Sequence, residues 1–376
     1  MNVDYLVVGS GLTGSTIARL LIDHQREVLM LERRLQPGGN VRDFMHPARF
    51  RVHTYGPHYF RCSSLEVWEF VNRFSSFYPY RASIKAKVAG QYWDWPLSQT
   101  LLDQYPGWES PRHAGTPSDF EEACLRKMPR SVYETFIKGY TRRQWGVEPR
   151  RLAPDLADRI RINGRGQVGL APHCLFQVLP AAGYSQLMAN MIAGIPCRLG
   201  VDYLQDPSEY RARKALIYTG PIDAFFQFDA GRLSYRAQKR IHQFLPHCDR
   251  YQPCAQVNHA DEDDHGPLRT LEWKHLLPPA QQQPASGTLI TREYPFTPQD
   301  PDEFEYPVPT PHNAQLYELY RQRAQAVPKL TVCGRLGSYC YLDMDGAIGV
   351  ALGLAKQLLQ QSTTGIPGGS GPAGPG

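Results

Sequence analysis

Apolar runs and helical periodicities divide this chain into recognisable elements. DYLVVG (4–9) is a short apolar run ending in glycine, the pattern of a buried strand. A helix is predicted from about Thr13 to His24, and a second apolar run, EVLMLE (27–32), completes a strand–helix–strand unit with a glycine-rich first turn. From about Arg34 to Arg61 the chain is loop-rich. Helical spacing returns over 64–74, with Ser63 or Ser64 as cap and Leu65, Val67, Trp68, Phe70 and Val71 at apolar positions. Residues 82–93 alternate as strands that turn at Gly90. Helices are predicted over 97–110 and 116–146, the second with Glu121 and Glu122 in its first turns. No clear period marks 160–180. A helix over 184–194 and a buried strand over 215–220 follow, and β-like runs over 250–295 predict a largely antiparallel sheet. The last elements are a helix (314–326), a buried strand (329–335) and a helix (344–361).

Strands of the α/β type therefore open and close the chain, with other material inserted between them. The fold class is mixed α/β: a discontinuous Rossmann-like nucleotide-binding domain, a small helical domain and an antiparallel sheet. A length of 376 residues suits two or three such units. Apolar residues at 42% supply a sizeable core and exclude a disordered chain. A net charge of +5 with no basic run argues against nucleic acid as a partner. No apolar run is long enough for a membrane span. The start, MNVDYLVVGSG, lacks the basic segment and cleavage site of a signal peptide. Eight cysteines are scattered singly, without metal-ligand spacing, so no metal site is expected and reduced thiols in a cytoplasmic protein are. The Gly/Pro-rich tail, 362–376, is expected to be disordered.

Gly9-Ser10-Gly11-Leu12-Thr13-Gly14 carries the first chemistry. The G-x-G-x-x-G spacing follows a strand, opens a helix and precedes a strand ending in Glu32, eighteen positions after Gly14. Such glycines permit a tight turn, close approach of a pyrophosphate and close helix–strand packing. The acidic residue accepts from ribose hydroxyls and disfavours a 2′-phosphate. Arg33-Arg34 and Gly38-Gly39-Asn40 follow directly. This resembles the acidic-residue-to-Gly-Gly pattern of FAD proteins of the glutathione-reductase type. The late strand and the helix from about Asp343 would aim a positive helix end at the flavin.

Several segments, in chain order, resemble the UDP-galactopyranose mutase family: VGSGLTGS (8–15), GGN (38–40), TYGPHYF (54–60), IKGYTRRQWG (137–146), RINGR (161–165), YTGPID (218–223), LSYR (233–236), TREYP (291–295), YPV (306–308) and GRLGSYCYLDMD (335–345). The resemblance implies an FAD domain of residues 1–80, 185–232 and 325–361, a helical domain of 97–160, and a substrate sheet domain of 81–96, 161–184 and 233–324. It implies a flavin-dependent mutase that interconverts pyranose and furanose forms of a nucleotide-linked hexose. In that chemistry N5 of the reduced flavin attacks the anomeric carbon, with no net redox change. The partner is a small nucleotide sugar, and a homodimer is possible within the family's pattern. The alternative on the same FAD fold is a flavin oxidoreductase of the amine-oxidase type, which would want an apolar aromatic cage rather than a diphosphate cradle.

Residue by residue, the resemblance makes Arg165 and Arg269 the diphosphate arginines, whose planar forks suit phosphate oxygens. Arg236 is held near the site, Tyr140 packs on uracil, Trp145 lies near the sugar, and Tyr306 and Tyr341 donate to phosphates. His58 sits beside the flavin and Asp343 by flavin and substrate. Gly9, Gly11, Leu12, Gly14, Glu32 and Arg33 would hold FAD, as would Gly39, Asn40, Tyr218, Thr219, Gly220, Arg335 and Met344. Three positions depart from the family pattern: Arg61 stands for a histidine, Phe176 for a tyrosine and Asp94 for an asparagine. All three are expected near substrate, and they put the sugar in question. An Arg61–Asp94 pair is one way in which two of them could compensate.

Overall fold

The computed structural model describes residues 1–105, 115–261, 265–278 and 287–363. The last helix runs on through Ser362 and Thr363, the first two residues of the tail expected to be disordered, and the rest of that tail, 364–376, lies outside the described residues.

Five parallel strands form the first sheet. Taken in chain order (Asn2–Val8, Val28–Glu32, Cys197–Leu199, Arg211–Tyr218, Leu330–Val332), they lie in the spatial order third, second, first, fourth, fifth. Every residue of Val28–Glu32 is buried, as a parallel strand covered on both faces requires. Helices Leu12–Asp23 and Met344–Thr363 pack together over this sheet. The strand order reverses between the first and fourth strands. In a doubly wound sheet, ligands bind at that switch point, outside the carboxyl ends of the strands.

A seven-stranded sheet carries the rest. Its order is Tyr306–Pro307, Tyr235–Leu245, Thr288–Phe296, Arg269–Glu272, Gln256–His259, Ile84–Val88, Gln91–Trp95. The predicted antiparallel character holds with one exception: Ile84–Val88 runs parallel to Gln256–His259. The hairpin at Gly90 is as expected. Ala89 and Gly90 both have positive φ, which matches the strand twist. The segment 160–180, featureless in sequence, supplies Phe176–Pro180, which pairs with Phe60–Cys62 and Phe77–Pro79 in a small separate sheet.

The helical unit is more broken than periodicity suggests. The long helix expected over 116–146 is three pieces: Phe120–Leu125, then Arg130–Tyr133 running through a wide turn (Glu134–Lys138) into Gly139–Trp145. Pro129 causes the break, because it lacks the N–H that would continue the first helix. Gly146, at φ +70°, ends the last piece in the left-handed conformation. Of the helix expected over 97–110, the described residues form Gln99–Leu102, capped by the Ser98 hydroxyl, and 106–110 lie outside the described residues. Ser64 is the cap of Leu65–Asn72, accepting from the Val67 N–H.

Candidate active site

At the switch point, Gly9 and Thr219 end the two central strands. A Cβ on Gly9 would lie 2.0 Å from Thr219 Oγ1, and one on Gly14 would lie 2.0 Å from the Gly9 carbonyl oxygen. These two glycines serve close packing. Gly11 differs: the nearest atom its Cβ would meet is the Gly39 Cα, 3.9 Å away. The two glycine loops thus touch: a Cβ on Gly39 would come within 2.9 Å of the Gly11 Cα, so the missing side chains let the loops meet at the wall of a cleft. That cleft spans about 1220 Å³ including its open mouth. Gly9, Gly11, Leu12, Gly14, Glu32, Arg33, Gly39, Asn40, His58, Tyr218, Thr219, Gly220, Arg335 and Met344 all border it. Of the sequence-predicted cofactor residues, only Asp343 does not. Glu32 Oε2 accepts from the Ser10 N–H and hydroxyl, at 2.9 and 2.6 Å, while Oε1 accepts from the Arg34 N–H and keeps a lone pair for a ribose hydroxyl. The residues present fit a dinucleotide. Sequence reasoning missed 201–204, which lines the far wall without any local signature.

A second cavity of about 1790 Å³, again including its mouth, meets the cleft at Asn40, His58, Arg335 and Met344. It is polar and basic: Arg61, Arg159, Arg161, Arg269 and Arg335 line it. Sheet register places part of this wall. Arg269 stands directly opposite Asn258 on one neighbouring strand and opposite Glu293 on the other. Arg269 Nε pairs with Glu293 at 2.6 Å, while Nη2 reaches the Tyr306 hydroxyl at 3.5 Å. Burial lowers the affinity of the Arg269 guanidinium for its proton, but Glu293 and Tyr306 outweigh that and push its pKa well above the usual arginine value. Tyr306 is pushed up to about 12, first by burial, so it stays a protonated donor. Its ring stacks on Tyr341 with centroids 5.7 Å apart.

Asp343 lies in this second cavity and bridges Arg61 (3.4 Å) and Arg159 (3.3 Å). Burial alone would raise its carboxyl; Arg159 and then Arg61 outweigh that and hold it below the usual carboxylate range. Arg159 also covers the Tyr341 ring at 3.6 Å. His58, at the junction, is fixed on every side. Its N–H donates to His53 Nδ1 (3.0 Å), its carbonyl accepts from the Tyr184 hydroxyl (3.0 Å), and its ring Nδ1 lies 2.7 Å from the Gly56 carbonyl. A carbonyl only accepts, so Nδ1 carries the proton and Nε2 is left as an acceptor. Burial, with help from His53 and Arg335, lowers the His58 pKa to about 3, so the ring is neutral.

Tyr140 joins this cavity to an apolar chamber of about 670 Å³, walled by Trp95, Phe120, Phe136, Ile137, Trp145, Leu156 and Ile160. The wide turn at Glu134–Lys138 lies directly before Tyr140, and such insertions often mark functional sites.

Five of the expected substrate residues are not brought to the cavity; Trp145, expected near the sugar, walls the apolar chamber instead, edge-on to Tyr306 at 6.5 Å. Arg165 is exposed and forks onto Asp103 at 2.8 and 3.0 Å. Arg236 is buried behind the wall, donating to the carbonyls of Arg143 and Gln144 and to the Thr297 hydroxyl. Phe176 stacks on Trp68 at 4.3 Å. Asp94 is exposed and pairs with Lys85 at 2.5 Å, so the Arg61–Asp94 pair does not form. Phe176 and Asp94 each sit on strands whose neighbours draw them elsewhere. The residues that sequence reasoning missed are Arg159, Gln256 and Asn258. Arg159 stands six positions before Arg165 in the same arginine-rich stretch, and nothing in the sequence alone separated the two.

Comparison with known proteins follows the same lines. A family model described as UDP-galactopyranose mutase matches residues 135–341, and one described as an NAD(P)-binding Rossmann-like domain matches 7–74. The dTDP-fucopyranose mutase of Escherichia coli is 30% identical, over 95% of this chain and 98% of its own length. A probable UDP-galactopyranose mutase of Klebsiella pneumoniae is 32% identical, over 95% of each chain. A crystal structure of reduced UDP-galactopyranose mutase superposes with a TM-score of 0.78 at 14% identity, covering 96% of this chain and 95% of that one. A putrescine oxidase variant superposes at 0.60 with 10% identity, over 96% of this chain and 99% of that one, a likeness of fold alone.

Proposed function

We propose, because this chain belongs to the UDP-galactopyranose mutase family, that its substrate is UDP-linked galactose, isomerised between pyranose and furanose rings. It is a flavin-dependent mutase, and we assign FAD as the flavin. The cleft lined by both glycine loops and the free lone pair of Glu32 support that assignment. When bound and reduced, the flavin supplies a nucleophilic N5.

The observation that carries the reading is the junction: a cavity walled by arginines and tyrosines opens onto a dinucleotide cleft at His58 and Arg335. An amine oxidase would need an apolar cage there. Arg269 and Arg159 are the forks for the diphosphate, and Tyr306, protonated, donates beside them. Tyr140 and the apolar chamber take the base. The start of the Met344–Thr363 helix faces the junction, where its amide end favours negative charge. His58 Nε2 offers an acceptor at the same place. Arg61, in the cavity wall, has donors for a carbonyl on C2, so UDP-N-acetylgalactosamine is proposed as a second substrate. All eight cysteines are free thiols, as suits a cytoplasmic setting.

The test is incubation of the dithionite-reduced holoenzyme with a panel of UDP- and dTDP-hexoses, with pyranose and furanose forms separated by HPLC. Conversion of UDP-galactopyranose that requires reduced flavin is the expected result. Equal turnover by oxidised enzyme, or none on any nucleotide sugar, overturns it.

A further inference from the structure

Glu293 sits on the central line of the large sheet. The register sets it directly opposite Arg240 on one side and Arg269 on the other, so one carboxylate faces two arginines across three adjacent strands. Its side chain has no exposed surface. Oε1 accepts from Arg240 Nε at 2.9 Å, while Oε2 and Arg269 Nε form an ion pair at 2.6 Å in which the N–H is not aimed at the oxygen. Burial alone would raise this carboxyl; Arg269 and Arg240 reverse that and keep it ionised. Arg240 is itself held at its far end by Glu305, through Nη1 at 2.9 Å and Nη2 at 2.7 Å. Above Glu293 lies Gly56, at φ +86°, where a Cβ would come within 2.8 Å of Oε1. The backbone there seals the carboxylate from water, and the same Gly56 carbonyl meets the ring of His58.

Glu293 borders neither the cleft nor the cavity. Its effect on substrate runs through Arg269. The buried charge of Glu293 holds the Nε side of the guanidinium as an ion pair and leaves Nη2 toward Tyr306 and the cavity. An arginine without that inner partner would be free to swing among rotamers, or to turn its fork onto a neighbouring acidic group. We propose that Glu293 is the positioning residue that aims Arg269 at the substrate diphosphate. This deepens the functional reading above and rests on it, because it needs Arg269 to touch that diphosphate.

The experiment is a double-variant cycle on the flavin-loaded enzyme, with UDP affinity read by calorimetry and kcat and KM measured separately. E293Q is isosteric but uncharged. It should raise the Kd for UDP at least tenfold, with KM moving more than kcat and flavin content unchanged. E293Q in the R269A background should bind UDP within about twofold of R269A alone, since there is no fork left to aim. E293D keeps the buried charge while drawing it back from Arg269. It should shift Kd in the same direction, and it carries the test if E293Q does not fold. A purely structural role would lower thermal stability and the folded fraction, leave Kd of the folded protein unchanged and add to R269A; that outcome overturns the proposal. If R269A loses UDP while E293Q and E293D bind within twofold of wild type, positioning alone is wrong. If R269A itself binds UDP normally, the diphosphate reading and the positioning role fall together.

Discussion

The cleft and the cavity are built in opposite ways. The cleft is largely backbone. Two glycine loops, 9–14 and 38–39, face each other, and the chemistry is set by where a side chain is missing. The cavity is side chains: arginines and tyrosines from the helical unit, the large sheet and the start of the last helix, gathered from residues as distant as 61 and 343. A backbone site tolerates almost no change at its glycines and is indifferent to much else. A side-chain site can lose one member and keep its fold. That contrast sets what each should do when broken.

The largest effect should come from Gly11→Val. A Cβ at Gly11 is already in van der Waals contact with the Gly39 Cα at 3.9 Å, so the two methyls of valine must push the loops apart or project into the cleft they line. The purified protein should be folded by circular dichroism yet colourless, with no flavin retained after reconstitution. Yellow Gly11→Val would mean that this wall of the cleft is not the cofactor's.

Next comes the cavity. Arg269→Ala and Arg159→Ala should each cost about 2–4 kcal/mol of truncation, or roughly 30- to 1000-fold in kcat/KM, as charge-assisted bonds to a partly desolvated diphosphate would. Flavin content should stay normal in both. Arg165→Ala should change kcat/KM by less than about threefold, because an exposed surface pair contributes little. If Arg165→Ala is as damaged as Arg269→Ala while Arg159→Ala is not, the placement of the diphosphate by this cavity is wrong.

These two regions also differ in how far the sequence exposes them. The cleft is local: spacing of glycines, a strand before, a helix after and an acidic residue at a fixed distance. All fourteen of the other predicted cofactor positions border it, found by that logic or by a short motif, and Asp343 landed one wall away. The cavity depends on register. Arg269 reaches it because it lies opposite Asn258 and Glu293, which no one-dimensional pattern states. Phe176 and Asp94 miss it because their strands pair with partners that turn them elsewhere: Phe176 with Cys62, Asp94 with Lys85. The expected helix over 116–146 fails for a different reason: Pro129 breaks it, although the helical period continues on both sides.

Where the two regions join, acid should act on both. Burial lowers the pKa values of His53 and His58 to about 3, while the unfolded rings titrate near the ordinary 6.5. Below pH 6.5 the unfolded state therefore binds more protons, and stability falls as pH drops, recovering as it rises. The slope should approach about 1.4 kcal/mol per pH unit for each histidine until the folded rings themselves protonate. Urea midpoints between pH 7 and pH 5 measure it. His53→Gln keeps a side-chain acceptor for the His58 N–H, loses one titrating ring and should reduce the slope by at most about a third, because burial also lowers His259 to about 4 and lowers His242. An unchanged slope in that variant would show that carboxylates elsewhere dominate.

The smallest expected effect concerns which sugar the cavity prefers. Arg61 stands where a histidine is expected, three residues beyond His58, and its Nη2 lies 3.4 Å from Asp343 at the junction with the cleft. Its Nε is buried and without a hydrogen-bond partner, while Arg159 competes for the same carboxylate. Arginine reaches further than histidine and carries five donors, enough to bind a C2 acetamido carbonyl while keeping the Asp343 pair. Arg61→His should therefore lower kcat/KM for UDP-N-acetylgalactopyranose by about tenfold, close to 1.4 kcal/mol, and leave UDP-galactopyranose within about threefold. An equal loss on both sugars would mean that Arg61 only orders Asp343. No activity of the wild type on the acetylated sugar would mean that the cavity has no room for it.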